Sequence, residues 1–123
     1  MLEELIKQVG KPYQKYDEFG LASGCMAPVW FLYPDIPRYD WPEDETRIAE
    51  YMEELFVLHA KIIDLDEMQP GDLIMVQMLF GLVHPGVYLG SGRMLHCMKE
   101  TGWESMRISR ARVKGVYRVW RQQ

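Results

Sequence analysis

The stretch His84-Pro85-Gly86-Val87-Tyr88-Leu89-Gly90-Ser91-Gly92-Arg93-Met94-Leu95-His96-Cys97 decides the architecture. Its two ends read as strands, His84–Leu89 and Arg93–Met98, and Gly90-Ser91-Gly92 between them has the composition of a three-residue hairpin. Upstream, Gln69-Pro70-Gly71-Asp72 is a turn signal, and Leu73–Met78 after it reads as a strand. Downstream, Trp103–Ser109 and Gly115–Trp120 supply a fourth and a fifth strand. Before residue 69 the period is that of helices. Leu2, Leu5, Ile6 and Val9 share one face of a helix over Met1–Val9, which Gly10 and Pro12 stop. Residues 10–24 are loop-like. A short helix begins near Cys25 and runs through Phe31, with Pro28 suited to its first turn and Pro34 and Pro37 beyond its end. Within Pro42–His59, the positions Ile48, Met52, Leu55, Phe56 and His59 form one apolar helical stripe. Helices come first and consecutive antiparallel strands follow. The order predicts an α+β fold, with N-terminal helices packed on an antiparallel sheet of about five strands.

At 123 residues the chain is expected to form a single domain over 1–123. Hydrophobic residues make up 48% and charged residues 26%, so enough apolar surface is present to offset chain entropy and disorder is excluded. No apolar run approaches the roughly 18 residues of a membrane span. Glu3 and Glu4 stand where an export signal would carry Lys or Arg, which predicts cytoplasmic synthesis without a signal peptide. Two cysteines are too few for a disulfide framework, and free thiols are expected. The net charge of −4 argues against nucleic-acid binding. The charge is uneven: residues 1–72 carry −10 and residues 73–123 carry +6. A basic C-terminal half could meet an anionic polymer; the expected reading is that the two halves pack together and their charges partly neutralise at the surface.

Three residues could carry chemistry together. Cys25 lies where a Gly-rich loop, Ala22-Ser23-Gly24, meets a helix start. Free N–H groups at a helix N-terminus favour thiolate, the nucleophilic form, and can stabilise an oxyanion. Taken alone, an inert buried cysteine is the commoner reading for this residue type. His84 and His96 lie twelve residues apart across the hairpin turn, which brings them towards one end of neighbouring strands. One imidazole could take the thiol proton while the other orients it. His59, on the apolar side of its helix, reads as a packing or capping residue. Cys97 follows His96 and must point to the other face of its strand. The four His and Cys residues lack the close ligand spacings of a zinc site, and no metal or organic cofactor is expected.

These motifs resemble the NlpC/P60 family of papain-like cysteine peptidases. The likeness rests on Gly10-Lys11-Pro12-Tyr13, on a cysteine at a helix start, on Pro70-Gly71-Asp72-Leu73, on His84-Pro85-Gly86-Val87-Tyr88-Leu89-Gly90 and on His96 in the next strand. It spans about residues 5–120. It implies a papain-like core in which Cys25 is the nucleophile, His84 the general base and His96 the orienting residue, with Tyr13 and Gly24 at the substrate. It implies a peptidoglycan peptide as substrate and hydrolysis of its amide bonds. A short domain of this kind is similar to those of phage tail assemblies, which makes tail proteins expected partners and places the protein on a virion or at the cell wall. The usual Asp-Cys-Ser-Gly segment is here Gly24-Cys25-Met26-Ala27. An inactive structural module, a CHAP-type amidase and an acyltransferase remain open beside the peptidase.

Overall fold

The computed structural model describes residues 2–41, 47–78 and 82–120. Among the described residues three α-helices precede most of the sheet: α1 (Leu2–Ile6), α2 (Ala27–Leu32) and α3 (Ile48–His59). Six strands follow among the described residues, β1 (Ala60–Ile62), β2 (Leu73–Gln77), β3 (Val83–Gly90), β4 (Arg93–Met98), β5 (Gly102–Arg107) and β6 (Val113–Val119). They form one antiparallel sheet in the order β1-β6-β2-β3-β4-β5. The fold is α+β, as the order of helical and strand patterns predicts. The sixth strand, β1, continues directly from α3 and pairs with β6 at the sheet edge. Its three residues run buried, exposed, exposed, so it carries no alternation to read. The first helix ends at Ile6 rather than Val9, which is 46% exposed. The start of the expected 42–59 helix lies outside the described residues.

The sheet is covered on both faces, which explains the unbroken buried run Leu73-Ile74-Met75-Val76 in its central strand β2. On the helical face Leu73, Met75, Val87, Leu95, Cys97, Trp103 and Tyr117 meet Leu5, Met26, Val29, Trp30, Met52 and Phe56. On the opposite face Ile74, Val76, Met94 and Val116 pack with Ile63. Met26 is fully buried on the helical side.

The turn before β2 is tied down by charge. Asp72 is almost fully buried, accepts the Gln69 N–H at 2.8 Å and takes a two-point bond from the Arg118 guanidinium at 2.9 and 3.0 Å. Such paired geometry offsets the cost of burying a carboxylate. The Pro70-Gly71-Asp72 motif therefore serves to anchor β2 to β6.

The N-terminal loop is laced to β5. Gly10 N–H donates to the Trp103 carbonyl at 2.9 Å, and Trp103 N–H donates to the Lys11 carbonyl at 2.8 Å. This close approach needs Gly102, whose φ is +71° and where a Cβ would run into the Lys11 carbonyl oxygen. Gly92, in the β3–β4 turn, shares the positive φ (+74°) but has open space around it. Gly92→Ala is therefore expected to cost about 1 kcal/mol in denaturant unfolding, the ordinary left-handed penalty. Gly102→Ala is expected to cost about 3 kcal/mol, because main-chain displacement adds to that penalty. Equal losses would show that the loop yields freely.

Candidate active site

Cys25 sits in a tight 3-10 turn, Gly24–Met26, that leads straight into α2. Gly24 makes that turn possible. Its φ is +62°, and a Cβ there would lie 2.6 Å from the Trp41 ring and 3.1 Å from the Tyr13 hydroxyl. The Gly24 N–H donates to the Gln14 carbonyl at 2.7 Å, so its main-chain donor is used within the fold. Tyr13 and Trp41 thus press against the residue preceding the thiol. The Trp41 indole N–H donates to the Lys15 carbonyl at 2.9 Å and sets the ring in place.

The thiol is half-buried and its Sγ lies 3.9 Å from the sulfur of Met52 on α3. Burial, followed by the nearby Cys97 thiol, pushes Cys25 up to about 12, and its own main-chain N–H only partly opposes this. Desolvation therefore outweighs the effect expected from the helix start, and the resting group is a thiol rather than a thiolate. Cys97, buried on β4, is pushed up to about 11 by burial.

The two histidines come together where β3 and β4 part. The ladder between these strands runs only from Val87–Leu95 to Gly90–Arg93. Beyond it, the His84 imidazole reaches across and its Nε2 lies 3.0 Å from the Cys97 carbonyl oxygen. A carbonyl only accepts, so Nε2 carries the hydrogen and Nδ1 keeps a lone pair. Burial and then His96 push His84 down to about 4, so the ring is neutral at pH 7. The His96 ring stands edge to face against His84, with centroids 5.3 Å apart. Its Nε2 lies 2.9 Å from a Glu104 carboxylate oxygen, directly opposite on β5, and its Nδ1 is buried with no partner. Burial shifts His96 downward, against the pull of Glu104.

The hairpin offset therefore does bring His84 and His96 into contact, but among the described residues no hydrogen bond joins either imidazole to the Cys25 thiol, which lies against Met52. The second ring nitrogen expected to meet His96 is instead held by a main-chain carbonyl, and His96 contributes ring packing. Cys97 faces the helical core, so His96, its neighbour, faces the other side of β4. Glu104, Met52 and Trp41 were not singled out from the sequence. Glu104 was the most accessible of these, since a short β4–β5 hairpin through Lys99-Glu100-Thr101 pairs it with His96. Among the described residues no group of three or more His, Cys, Asp or Glu could hold a metal ion.

The charge states have a consequence for chemistry and for stability. With the thiol up at about 12, alkylation of Cys25 by iodoacetamide in the free protein is expected to be slow at pH 6 and to climb steadily to pH 9. A rate already at plateau by pH 6 would show an activated thiolate. His84, held near 4 in the fold, binds its proton more readily when unfolded. Its share of stability is present above about pH 6.5 and is lost as pH falls towards 4. His84→Gln is expected to flatten that part of the stability profile in denaturant titrations.

The model of the NlpC/P60 family matches residues 25–121. No curated protein is similar in sequence. Two solved structures superpose well. One is described as similar to a lipoprotein of the NLP/P60 family from Staphylococcus aureus, with TM-score 0.62 and 20% identity, covering 98% of this chain and 40% of that one. The other is the peptidoglycan hydrolase RipB from Mycobacterium tuberculosis, with TM-score 0.63 and 21% identity, covering 98% of this chain and 63% of that one. The chain spans less than two thirds of either protein. At such identity the structures share its fold, and the family model, matching most of the residues, decides membership: the chain belongs to the NlpC/P60 family.

Proposed function

We propose that the protein is a cysteine peptidase that hydrolyses amide bonds in the peptides of bacterial peptidoglycan, with Cys25 as nucleophile and His84 as general base. The observation that carries the reading is the His84 tautomer. Nε2–H is committed to the Cys97 carbonyl, which leaves the Nδ1 lone pair to take a proton. Family membership and the similarity to a peptidoglycan hydrolase support the substrate class.

In this reading the Cys25 thiol, which in the free protein lies against Met52 and not on His84, gives its proton to His84 Nδ1 as sulfur bonds to the amide carbon. The tetrahedral intermediate collapses, the C–N bond breaks, and His84 returns the proton to the leaving amine. Water, deprotonated by His84, then cleaves the thioester to a carboxylate and restores the thiol. The neutral starting pair means that proton transfer accompanies attack and does not precede it. His96 keeps the His84 ring upright by edge-to-face packing, itself held by Glu104. The proposal extends, on the resemblance, to synthesis in the cytoplasm and a wall-opening role in a phage tail, with tail proteins as partners.

A second reading has its own support. A protonated thiol lying against Met52 suits a module that binds wall peptide without cutting it. Release of free amines from purified peptidoglycan separates the two. Cys25→Ala and His84→Ala are each expected to lower the rate by at least about 100-fold and by similar factors, because nucleophile and base act as one unit. His96→Ala is expected to lower it about 10-fold, since the Cys97 carbonyl still orients His84. Full activity in Cys25→Ala would overturn the peptidase.

A further inference from the structure

In the free protein the Cys25 thiol has a partner that the catalytic cycle cannot keep. Its S–H donates to the Met52 thioether, with 3.9 Å between the two sulfurs. A thioether offers only a lone pair, so within this pair the thiol must be the donor. Met52 belongs to α3 and is 2% exposed, so the core fixes where its sulfur lies. Cys25 stands on the 3-10 turn before α2, and both residues pack on the core cluster of the helical face. The His84 ring is fixed as well, by its bond to the Cys97 carbonyl. Between a fixed thioether and a fixed imidazole, the thiol is the group that has to move.

We propose that Met52 is a positioning residue that parks the nucleophile: its sulfur holds the Cys25 S–H in a resting rotamer, and catalysis begins when the thiol turns about its Cα–Cβ bond from the thioether to His84. The inference rests on the peptidase reading and adds a resting state to it. Methionine suits the role. It fills the core as leucine would, yet its sulfur accepts a weak hydrogen bond that leucine cannot. The weakness matters, because a strong acceptor would compete with the imidazole for the proton. A contact at the modest end of hydrogen-bond strengths favours the parked thiol about 5-fold over the released one. Bonding to the S–H also favours the protonated sulfur, since a partner of the neutral form disfavours the charged form. Tyr13, Tyr39 and Cys97 share the core cluster with Cys25. Burial holds Tyr39 and Cys97 above their ordinary ranges, so neither titrates between pH 6 and about pH 9.

Met52→Leu tests this, because it keeps the apolar volume and deletes the acceptor. Met75→Leu, at another buried methionine of the same cluster, controls for a general loosening of the core. Iodoacetamide labelling from pH 6 to about pH 9, read by peptide mapping, is expected to modify Cys25 about 5-fold faster in Met52→Leu. Its rate profile is expected to move to lower pH by about 0.7 unit, the logarithm of that factor, which lost packing alone would not produce. Stem-peptide kcat/KM is expected to rise by a similar factor. Labelling of Cys97, and both assays in Met75→Leu, are expected to match the wild type. An unchanged or slower rate at Cys25, an unshifted profile, an unraised kcat/KM, or an equal gain at Cys97 or in Met75→Leu would each overturn the role of Met52 and leave the peptidase standing. Wild-type turnover no greater than that of Cys25→Ala would overturn the peptidase itself, and this proposal with it.

Discussion

One hydrogen bond organises this site: the His84 imidazole on the Cys97 carbonyl, 3.0 Å away. A buried main-chain carbonyl must be satisfied, and a neighbouring strand normally does it. Here β3 leaves its ladder with β4 beyond Val87 and Leu95, while it remains paired with β2 as far as Val83. A side-chain N–H from β3 takes over. The strands can part without an orphaned carbonyl, and the imidazole is locked in one tautomer. The same bond that repairs the sheet therefore sets which ring nitrogen is left for chemistry.

A sheet covered on both faces allows this arrangement. Cys97 looks into the helical core with Cys25 close by, and its neighbour His96 is equally buried on the other side. His84 lies at the seam and touches both: the main chain of one residue and the ring of the other. In an open sheet with one wet face His96 would be solvated, and its packing against His84 would be weak. The Asp72–Arg118 pair and the lacing of the N-terminal loop to β5 hold the surrounding frame, including the loop that carries Tyr13.

The electrostatics follow from the same burial. Low polarity drives the thiol and the imidazole towards their neutral forms, one upward and the other downward. An aromatic wall of Tyr13, Tyr39 and Trp41 stands beside Gly24. Gly24 belongs to that wall: a side chain at this position would collide with Trp41, so the shape of the wall and the absence of an acidic residue before the cysteine are one feature.

Much of this was legible in the chain. The change from a helical period to strands, the β3–β4 hairpin (closed by two residues, Ser91-Gly92, rather than three, because Gly90 already pairs with Arg93) and the Pro70-Gly71-Asp72 turn depend on local residue preferences, which neighbours in sequence encode. The pairing of His84 with His96 followed from a twelve-residue offset across a short turn. The edge strand β1 was not legible, since three residues without alternation leave no pattern. Nor was the partner of each imidazole. Whether His84 meets His96 or the Cys97 carbonyl depends on where β3 leaves β4, and that is set by packing of the whole sheet. The contacts of Cys25 with Met52, and of Gly24 with Trp41, join segments with no local relation. Local periodicity determined the elements and the candidate residues. Only tertiary packing decided their partners and charge states, because burial and cross-segment distance are properties of the assembled fold.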